Sequence, residues 1–224
     1  MRYGIFSDIH SNLEALEVVL GALKKESVDK YFCVGDIVGY AANPKECIKI
    51  MRELDCPTVC GNHDWAAVDL VDISYFNPHA RAAVEWTKKQ LDEAEKNYLK
   101  GLPLTYEDRE ITLVHGSLER PEEFDYIFDE SAVQRTLNLC RTKICFIGHS
   151  HSPFEYSNGT KWLVNVGSVG QPRDGDPRAA YCIYDLDKDA FEIKRVEYDI
   201  KATMNKILAA GLPKVLAFRL IEGR

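Results

Sequence analysis

Five short apolar runs in this chain each end in residues that can bind a metal ion, and that recurrence limits the folds open to it. Tyr3 to Phe6 runs into Ser7-Asp8-Ile9-His10, Tyr31 to Val34 into Gly35-Asp36, and Thr58 to Cys60 into Gly61-Asn62-His63-Asp64. Ile111 to Val114 runs into His115-Gly116, and Ile144 to Ile147 into Gly148-His149-Ser150-His151. Short runs of this composition, stopped by Gly, Asp, Asn or His, read as strands buried on at least one face. Strand ends are where an α/β sheet presents its chemistry, and all but one of the six histidines lie there. Imidazole and carboxylate are ligands for divalent transition metals, so the pattern points to a metal centre.

Between the first two strands, Leu13, Leu16, Leu20 and Leu23 recur at helical spacing behind Asn12, a capping residue, giving a strand-helix-strand opening. Pro44 to Leu54 reads as a second helix with Asn43 at its N-cap. Asn77-Pro78 starts a long helical stretch through Leu91 and on to Leu99, closed by Gly101 and Pro103. The region from about 65 to 103 interrupts the strand series and is expected to form a helical flap beside the site. Trp162 to Val166 is a further strand. A Gly- and Pro-rich segment then leads to the alternating strands Ala180 to Leu186 and Ala190 to Glu197, which should add antiparallel pairs to a βαβ-like sheet. A closing helix is expected over Ile200 to Leu220, broken near Gly211-Leu212-Pro213. No linker divides the chain, so one domain spanning residues 1–224 is expected.

A formal charge of -7 argues against an extended nucleic-acid surface, which depends on clustered Lys and Arg. No window approaches the ~18 apolar residues of a membrane span. The N-terminus lacks the apolar core of an export signal, and the seven cysteines are odd in number and irregularly spaced. Reduced thiols in the cytoplasm are the expectation, and the cysteines are assigned no chemistry.

A metal-dependent hydrolase needs ligands from several segments, a carboxylate able to bridge two ions, and an open position for water. Asp8 and His10 follow one strand, and Asp36, at the end of the next, is the natural bridge. Asn62 offers a neutral oxygen, and His115, His149 and His151 complete two nitrogen-containing ligand sets.

Taken in order, Asp8-x-His10, Gly35-Asp36, Gly61-Asn62-His63-Asp64, His115-Gly116 and Gly148-His149-Ser150-His151 resemble the motif series of the calcineurin-like metallophosphoesterases. The segment Asn165 to Arg173 is similar to the tail of their small bacterial and archaeal phosphodiesterase branch. The resemblance implies a four-layer α/β/β/α sandwich of two mixed sheets with two divalent transition-metal ions (Mn, Fe, Zn, Ni or Co) between strand ends. It assigns Asp8, His10 and His151 to one ion, Asn62, His115 and His149 to the other, and Asp36 to both. His63 matches the catalytic histidine, with Asp64 expected to orient its ring, and a water bridging the metals would attack phosphorus in line. The family's protein phosphatases carry Asp-Arg after the second motif, where this chain has Gly39 and Tyr40. Arg173 is the remaining candidate to hold a phosphate oxygen, with pairing to Asp174 or Asp176 the alternative. The functional expectation is hydrolysis of phosphodiesters in a small phosphorylated substrate, with a nucleotide or protein phosphomonoesterase, or a non-catalytic scaffold, as alternatives.

Overall fold

The first sheet is built from strands β1 (Arg2–Phe6) and β2 (Lys30–Cys33), which run parallel and are joined by helix α1 (Leu13–Lys25). In this computed structural model, which describes residues 1–224, helices α2 (Pro44–Leu54), α3 (Asn62–Ala66), α4 (Pro78–Gln90) and α5 (Glu93–Lys100) follow. The second sheet begins with β3 (Thr105–Glu107) and β4 (Ile111–Val114) and continues, after α6 (Glu130–Leu139), with β5 (Ile144–Ile147), β6 (Phe154–Ser157) and β7 (Trp162–Asn165). The chain then returns to the first sheet through β8 (Ala179–Asp185) and β9 (Ala190–Val196) and closes with α7 (Ile200–Ala209) and α8 (Lys214–Glu222). The sheet orders are β2-β1-β8-β9 and β3-β4-β5-β7-β6. In the first sheet the parallel pair β2-β1 forms one edge and β8 and β9 add antiparallel, whereas in the second the parallel strands β4, β5 and β7 lie between the antiparallel edges β3 and β6.

Alternation along each strand creates the layers, because successive side chains point to opposite faces. Tyr3, Ile5, Phe32, Cys182 and Tyr184 of the first sheet meet Ile111, Leu113, Ile144, Phe146 and Val164 of the second in one buried cluster. The opposite face of the first sheet, through Phe6, Cys33, Tyr181 and Ile183, packs on Leu16, Val19 and Leu23 of α1 and Ile48 and Met51 of α2. The outer face of the second sheet, through Val114, Cys145, Ile147 and Leu163, packs on Val133 and Leu137 of α6. This is the four-layer α/β/β/α sandwich of two mixed sheets.

The helix boundaries follow local chemistry. Asn12 accepts from the Ala15 amide at the start of α1, and Asn77 accepts from the His79 and Ala80 amides at the start of α4. The stretch expected to run unbroken from Asn77 to Leu99 is two helices, because Asp92 caps a fresh start and forms a capping box with Glu95. Thr58 to Cys60, expected as a strand, makes only the single bridge between Thr58 and Cys33 before the Cys60 amide turns away to the Pro103 carbonyl. Strands β3 and β6, three and four residues long, and helix α6 were not expected from the sequence. At the C-terminus Gly223 adopts φ 62° and its carbonyl accepts from the Gly175 amide, so the terminal residues are part of the packing. No helix is long and apolar enough to cross a membrane.

Phe146 is fully buried between the sheets. Phe146→Ala is expected to lower unfolding free energy by about 3–5 kcal/mol. A urea denaturation midpoint that does not move would show that the inter-sheet layer does not carry the fold.

Candidate metal centre

Loops leaving the strands of both sheets are stitched to one another before any side chain is considered. The Asp8, His10 and Ser11 amides donate to the Gly35, Asp36 and Ile37 carbonyls at 2.9, 3.0 and 2.9 Å, and the Gly148 amide donates to the His115 carbonyl at 3.1 Å. The tail segment completes the cradle. The Val169 and Gly170 amides donate to Ser7 and Asp8, Ser168 Oγ donates to the Asp8 carbonyl at 2.8 Å, and Asn165 Nδ2 donates to the Gly148 carbonyl at 2.6 Å. A Cβ at Gly170 would stand 1.9 Å from the Ile9 carbonyl oxygen, so only glycine allows this approach.

The cradle holds its functional residues in unusual backbone states. Asp8, His10, Asp36, His149 and His151 all have positive φ, between 50° and 66°. Asp and His tolerate this region better than most residues, yet each instance is an uncommon and strained conformation. The effect is to turn closely spaced polar side chains inward from three chain segments.

Asp8, His10, Asp36 and His151 bring one donor atom each within 4.8 Å of one another, and Asp36, His115 and His149 form a second such group. The two groups share Asp36. His10 and His115 Nε2 lie 3.5 and 3.3 Å from Asp36 Oδ2, and His151 Nε2 lies 3.2 Å from Asp8 Oδ1. Nδ1 of His10, His115 and His151 faces the carbonyls of Val38, Val34 and Gln171 at 3.1, 2.7 and 2.6 Å. A proton fixed on each Nδ1 leaves Nε2 as the donor to an ion, the second-layer arrangement typical of metal-ligating histidine. His149 is turned the other way, with Nδ1 3.2 Å from His115 Nε2. Tyr126 stacks on its ring at 3.8 Å.

Two buried oxygens, Asp8 Oδ1 and Asn62 Oδ1, have no hydrogen-bond partner. His10 Nε2 and His151 Nε2 face each other at 2.9 Å. Orphaned oxygens and opposed imidazole nitrogens in a buried pocket are costly unless a cation lies among them. The residues present therefore fit divalent metal ions.

Charge tells the same story. Burial would raise the Asp8 and Asp36 carboxyls, but the histidines around them, His151 and His115 foremost, hold both well below the usual carboxylate range. Burial would lower His115, but Asp36 and Asp8 overcome it and raise it to about 10. Burial pushes His149 down to about 3, aided by the His115 charge, and His151 to about 3, aided by Arg173. Two ionised carboxylates buried among imidazoles make the pocket an attractive place for cations.

His63 is buried, its amide donates to Asp36 Oδ1 at 2.9 Å, and its ring lies between Tyr40 and Phe76 at 4.5 and 5.2 Å. Its Nδ1 has no partner. The expected contact from Asp64 is not made, which corrects that role. Asp64 accepts instead from the Val38 amide at 3.1 Å and the Gly61 amide at 3.0 Å, so both oxygens are spent on backbone. Burial and the Asp36 charge raise its carboxyl to about 7. Arg173 does not pair with its acidic neighbours, because Asp174 pairs with Arg195 and Asp176 with Arg178. Its Nη2 donates to Tyr40 Oη at 3.1 Å and Gln171 Oε1 at 3.0 Å, and its Nε is buried without a partner. Tyr126 and Ser168 were missed by sequence reasoning. Ser168 falls in the quoted tail segment, whereas nothing in the sequence marks Tyr126.

A cleft of about 730 Å³ opens beside this centre, reaching Asn62, His63 and His149.

Comparison with known proteins agrees with this geometry. A family model described as the calcineurin-like phosphoesterase superfamily domain matches residues 1–189. An uncharacterised protein of Methanocaldococcus jannaschii is 41% identical, the match covering 98% of this chain and 97% of that protein. The crystal structure of a metallophosphoesterase from Sphaerobacter thermophilus is similar at TM-score 0.89 and 38% identity, over 100% of this chain and 99% of that one. A hypothetical protein from Pyrococcus horikoshii shares the fold at TM-score 0.89 and 22% identity, over 100% and 98% of the two chains.

Because His115 carries a proton in the metal-free site below about pH 10, an ion taking its Nε2 must displace that proton. Apparent metal affinity is therefore expected to rise with pH, about tenfold per unit between roughly pH 6 and 9. Titration calorimetry of metal-free protein in buffers of different ionisation enthalpy measures this. A pH-independent affinity with no proton release would contradict the charge state described.

Proposed function

The chain belongs to the calcineurin-like phosphoesterase superfamily, and from that premise we propose that it is a phosphodiesterase working at a two-ion centre. Asp8, His10 and His151 would hold one divalent ion, Asn62, His115 and His149 the other, and Asp36 both. Mixed nitrogen and oxygen donors without thiolate suit Mn, Fe, Zn, Ni or Co, with manganese or an iron-containing pair as the choice proposed here. When bound, such ions supply Lewis-acid activation of water and neutralise charge on phosphoryl oxygens. The observation that carries this reading is the convergence of two donor groups on one shared carboxylate, Asp36.

The protein's own groups do the remaining work. His63, which lines the cleft, is positioned to stabilise or protonate the departing alcohol oxygen. Arg173 has no carboxylate partner and a spare Nε, so its guanidinium is free to hold a phosphate oxygen. Tyr40 stands where related protein phosphatases carry arginine, and its hydroxyl accepts from Arg173. One guanidinium matches the single charge of a diester better than the dianion of a monoester. Asp64 acts at one remove, tying the start of α3, and so His63, to the Val38 backbone. A cleft of this size suits a small phosphorylated substrate rather than a polymer. Seven free thiols, six of them buried, are in keeping with a reducing cytoplasm.

Metal-loaded protein is expected to cleave bis(p-nitrophenyl) phosphate faster than p-nitrophenyl phosphate, by kcat/KM. His63→Ala is expected to lower kcat by about 10²–10⁴ while bound metal, measured by elemental analysis, is retained. Unchanged turnover in that variant would remove His63 from the mechanism, and a preference for the monoester would overturn the diesterase reading.

A further inference from the structure

We propose that the cleft beside the metal centre recognises an ammonium group, so that the leaving alcohol of the substrate carries a primary or quaternary amine. This rests on the phosphodiesterase reading and names the substrate class for it. One lip of the cleft is the segment before α4, with Tyr75 and Phe76, and the other is the loop after β4, with Phe124 and Tyr126. Tyr75 is 92% exposed, so its ring is open to a ligand in the cleft. The Tyr126 ring is already engaged, stacked on His149 at 3.8 Å and on Phe128 at 4.9 Å, which leaves Tyr75 as the open ring of the cleft.

The charge on this lining is one-sided. Asp72, Glu122, Glu123 and Asp125 line the cleft, and no Lys or Arg does, although the chain has 28 of them. Asp125 is neutralised by Arg120 at 2.7 Å, and Asp72 accepts from the amide and hydroxyl of Ser74. Glu122 and Glu123, on the turn Pro121–Glu123, make no ion pair and remain available. His63, only 4% exposed and with Nδ1 unpartnered, lines the same cleft and marks the end at which the departing oxygen would sit.

An open aromatic ring, Tyr75, beside free carboxylates is the kind of surrounding that favours an organic cation, through the ring quadrupole and direct charge. A further phosphate on the leaving group would meet carboxylates with no cation to balance them. A neutral planar group would use the rings and leave Glu122 and Glu123 idle. Arg173 lies outside this lining, against the Tyr40 ring at 5.5 Å. The site is thus polarised to receive a zwitterion, with its phosphate toward the metal centre and its ammonium beside Tyr75, Glu122 and Glu123.

The test compares methyl phosphodiesters of choline, of ethanolamine and of 3,3-dimethylbutanol, the last being the neutral isostere of choline. With metal-loaded protein, kcat/KM for release of at least one amino alcohol should exceed that of the isostere by about tenfold. The two amine arms distinguish quaternary from primary ammonium. In the Glu122→Gln/Glu123→Gln protein, and separately in Tyr75→Ala, that ratio should fall toward one. Equal kcat/KM for all three esters, or a ratio untouched by both variants, would overturn the proposal. Binding of choline and of 3,3-dimethylbutanol, followed by NMR shifts of the protein's aromatic rings, decides the matter independently of turnover. Choline binding about tenfold tighter supports an ammonium site even if no diester is cleaved, in which case the diesterase reading alone fails. Equal affinities would sink the ammonium site whatever the activity.

Discussion

Asp36 is the constraint around which the rest of this structure is arranged. Its carboxylate is 1% exposed, accepts from the His63 amide, and lies within 3.5 Å of His10 and His115. Ionised oxygen so far from water is costly unless surrounded by positive or hydrogen-bonding groups. The fold supplies those groups from separate chain segments, which can meet only if two sheets are stacked with their strand ends together. The Cβ that any other residue would carry at Gly61 would stand 2.0 Å from Asp36 Oδ1, so even the spacing of the Gly-Asn-His-Asp motif is set by this carboxylate.

Stability and function pull against each other here. Buried carboxylates, crowded imidazoles and left-handed backbone at Asp8, His10, Asp36, His149 and His151 each oppose folding. Offsetting them is the pair of apolar layers on either side of each sheet, where Ile5, Phe32, Leu113 and Phe146 are almost fully removed from water. The loops are further braced by backbone hydrogen bonds between segments far apart in sequence, such as Gly170 to Asp8. A site this strained persists because its surroundings over-determine it, and cations that bind only the folded chain would add to its stability by mass action.

Much of this was legible in the sequence, for identifiable reasons. Burial on a sheet leaves a short apolar run, and a ligand at a strand end must follow that run directly, so Asp8, Asp36, His115 and His149 announce themselves. Helix α1 was legible through its leucine spacing and its Asn12 cap. Edge strands β3 and β6 were not, because two or three strand residues facing solvent leave no periodic signal. Helix α6 buries only Val133, Thr136 and Leu137, too little apolar content to stand out. Asp64 was misread because adjacency to His63 in sequence suggests a contact, whereas on a helix neighbouring side chains diverge. At the N3 position a carboxylate reaches back to the amides before the helix, and Asp64 does so. The stacking of Tyr126 on His149 is a tertiary contact across more than twenty residues and leaves no local trace.

The metal cradle and the cleft beside it differ in how they are built, and the difference bears on specificity. In the cradle Asp8, His10, Asp36, His115, His149 and His151 are buried, and the rings of His10, His115 and His151 are fixed by backbone carbonyls of other segments, so a changed side chain there disturbs its neighbours. The cleft is walled by exposed side chains on the segment before α4 and on the loop carrying Glu122 to Tyr126, neither of which belongs to a sheet. Replacing Tyr75 or Glu122 alters what the cleft attracts without moving a ligand. Tyr126 joins the two systems, since its stack on His149 makes one wall of the cleft part of the support for a candidate ligand imidazole. A residue in that position couples what the cleft holds to the orientation of the ring beneath it. Specificity in this chain can therefore vary around an unchanging cradle at Tyr75, Glu122 and Glu123, whereas at Tyr126, as at Tyr40 against His10, a change of wall is also a change of support.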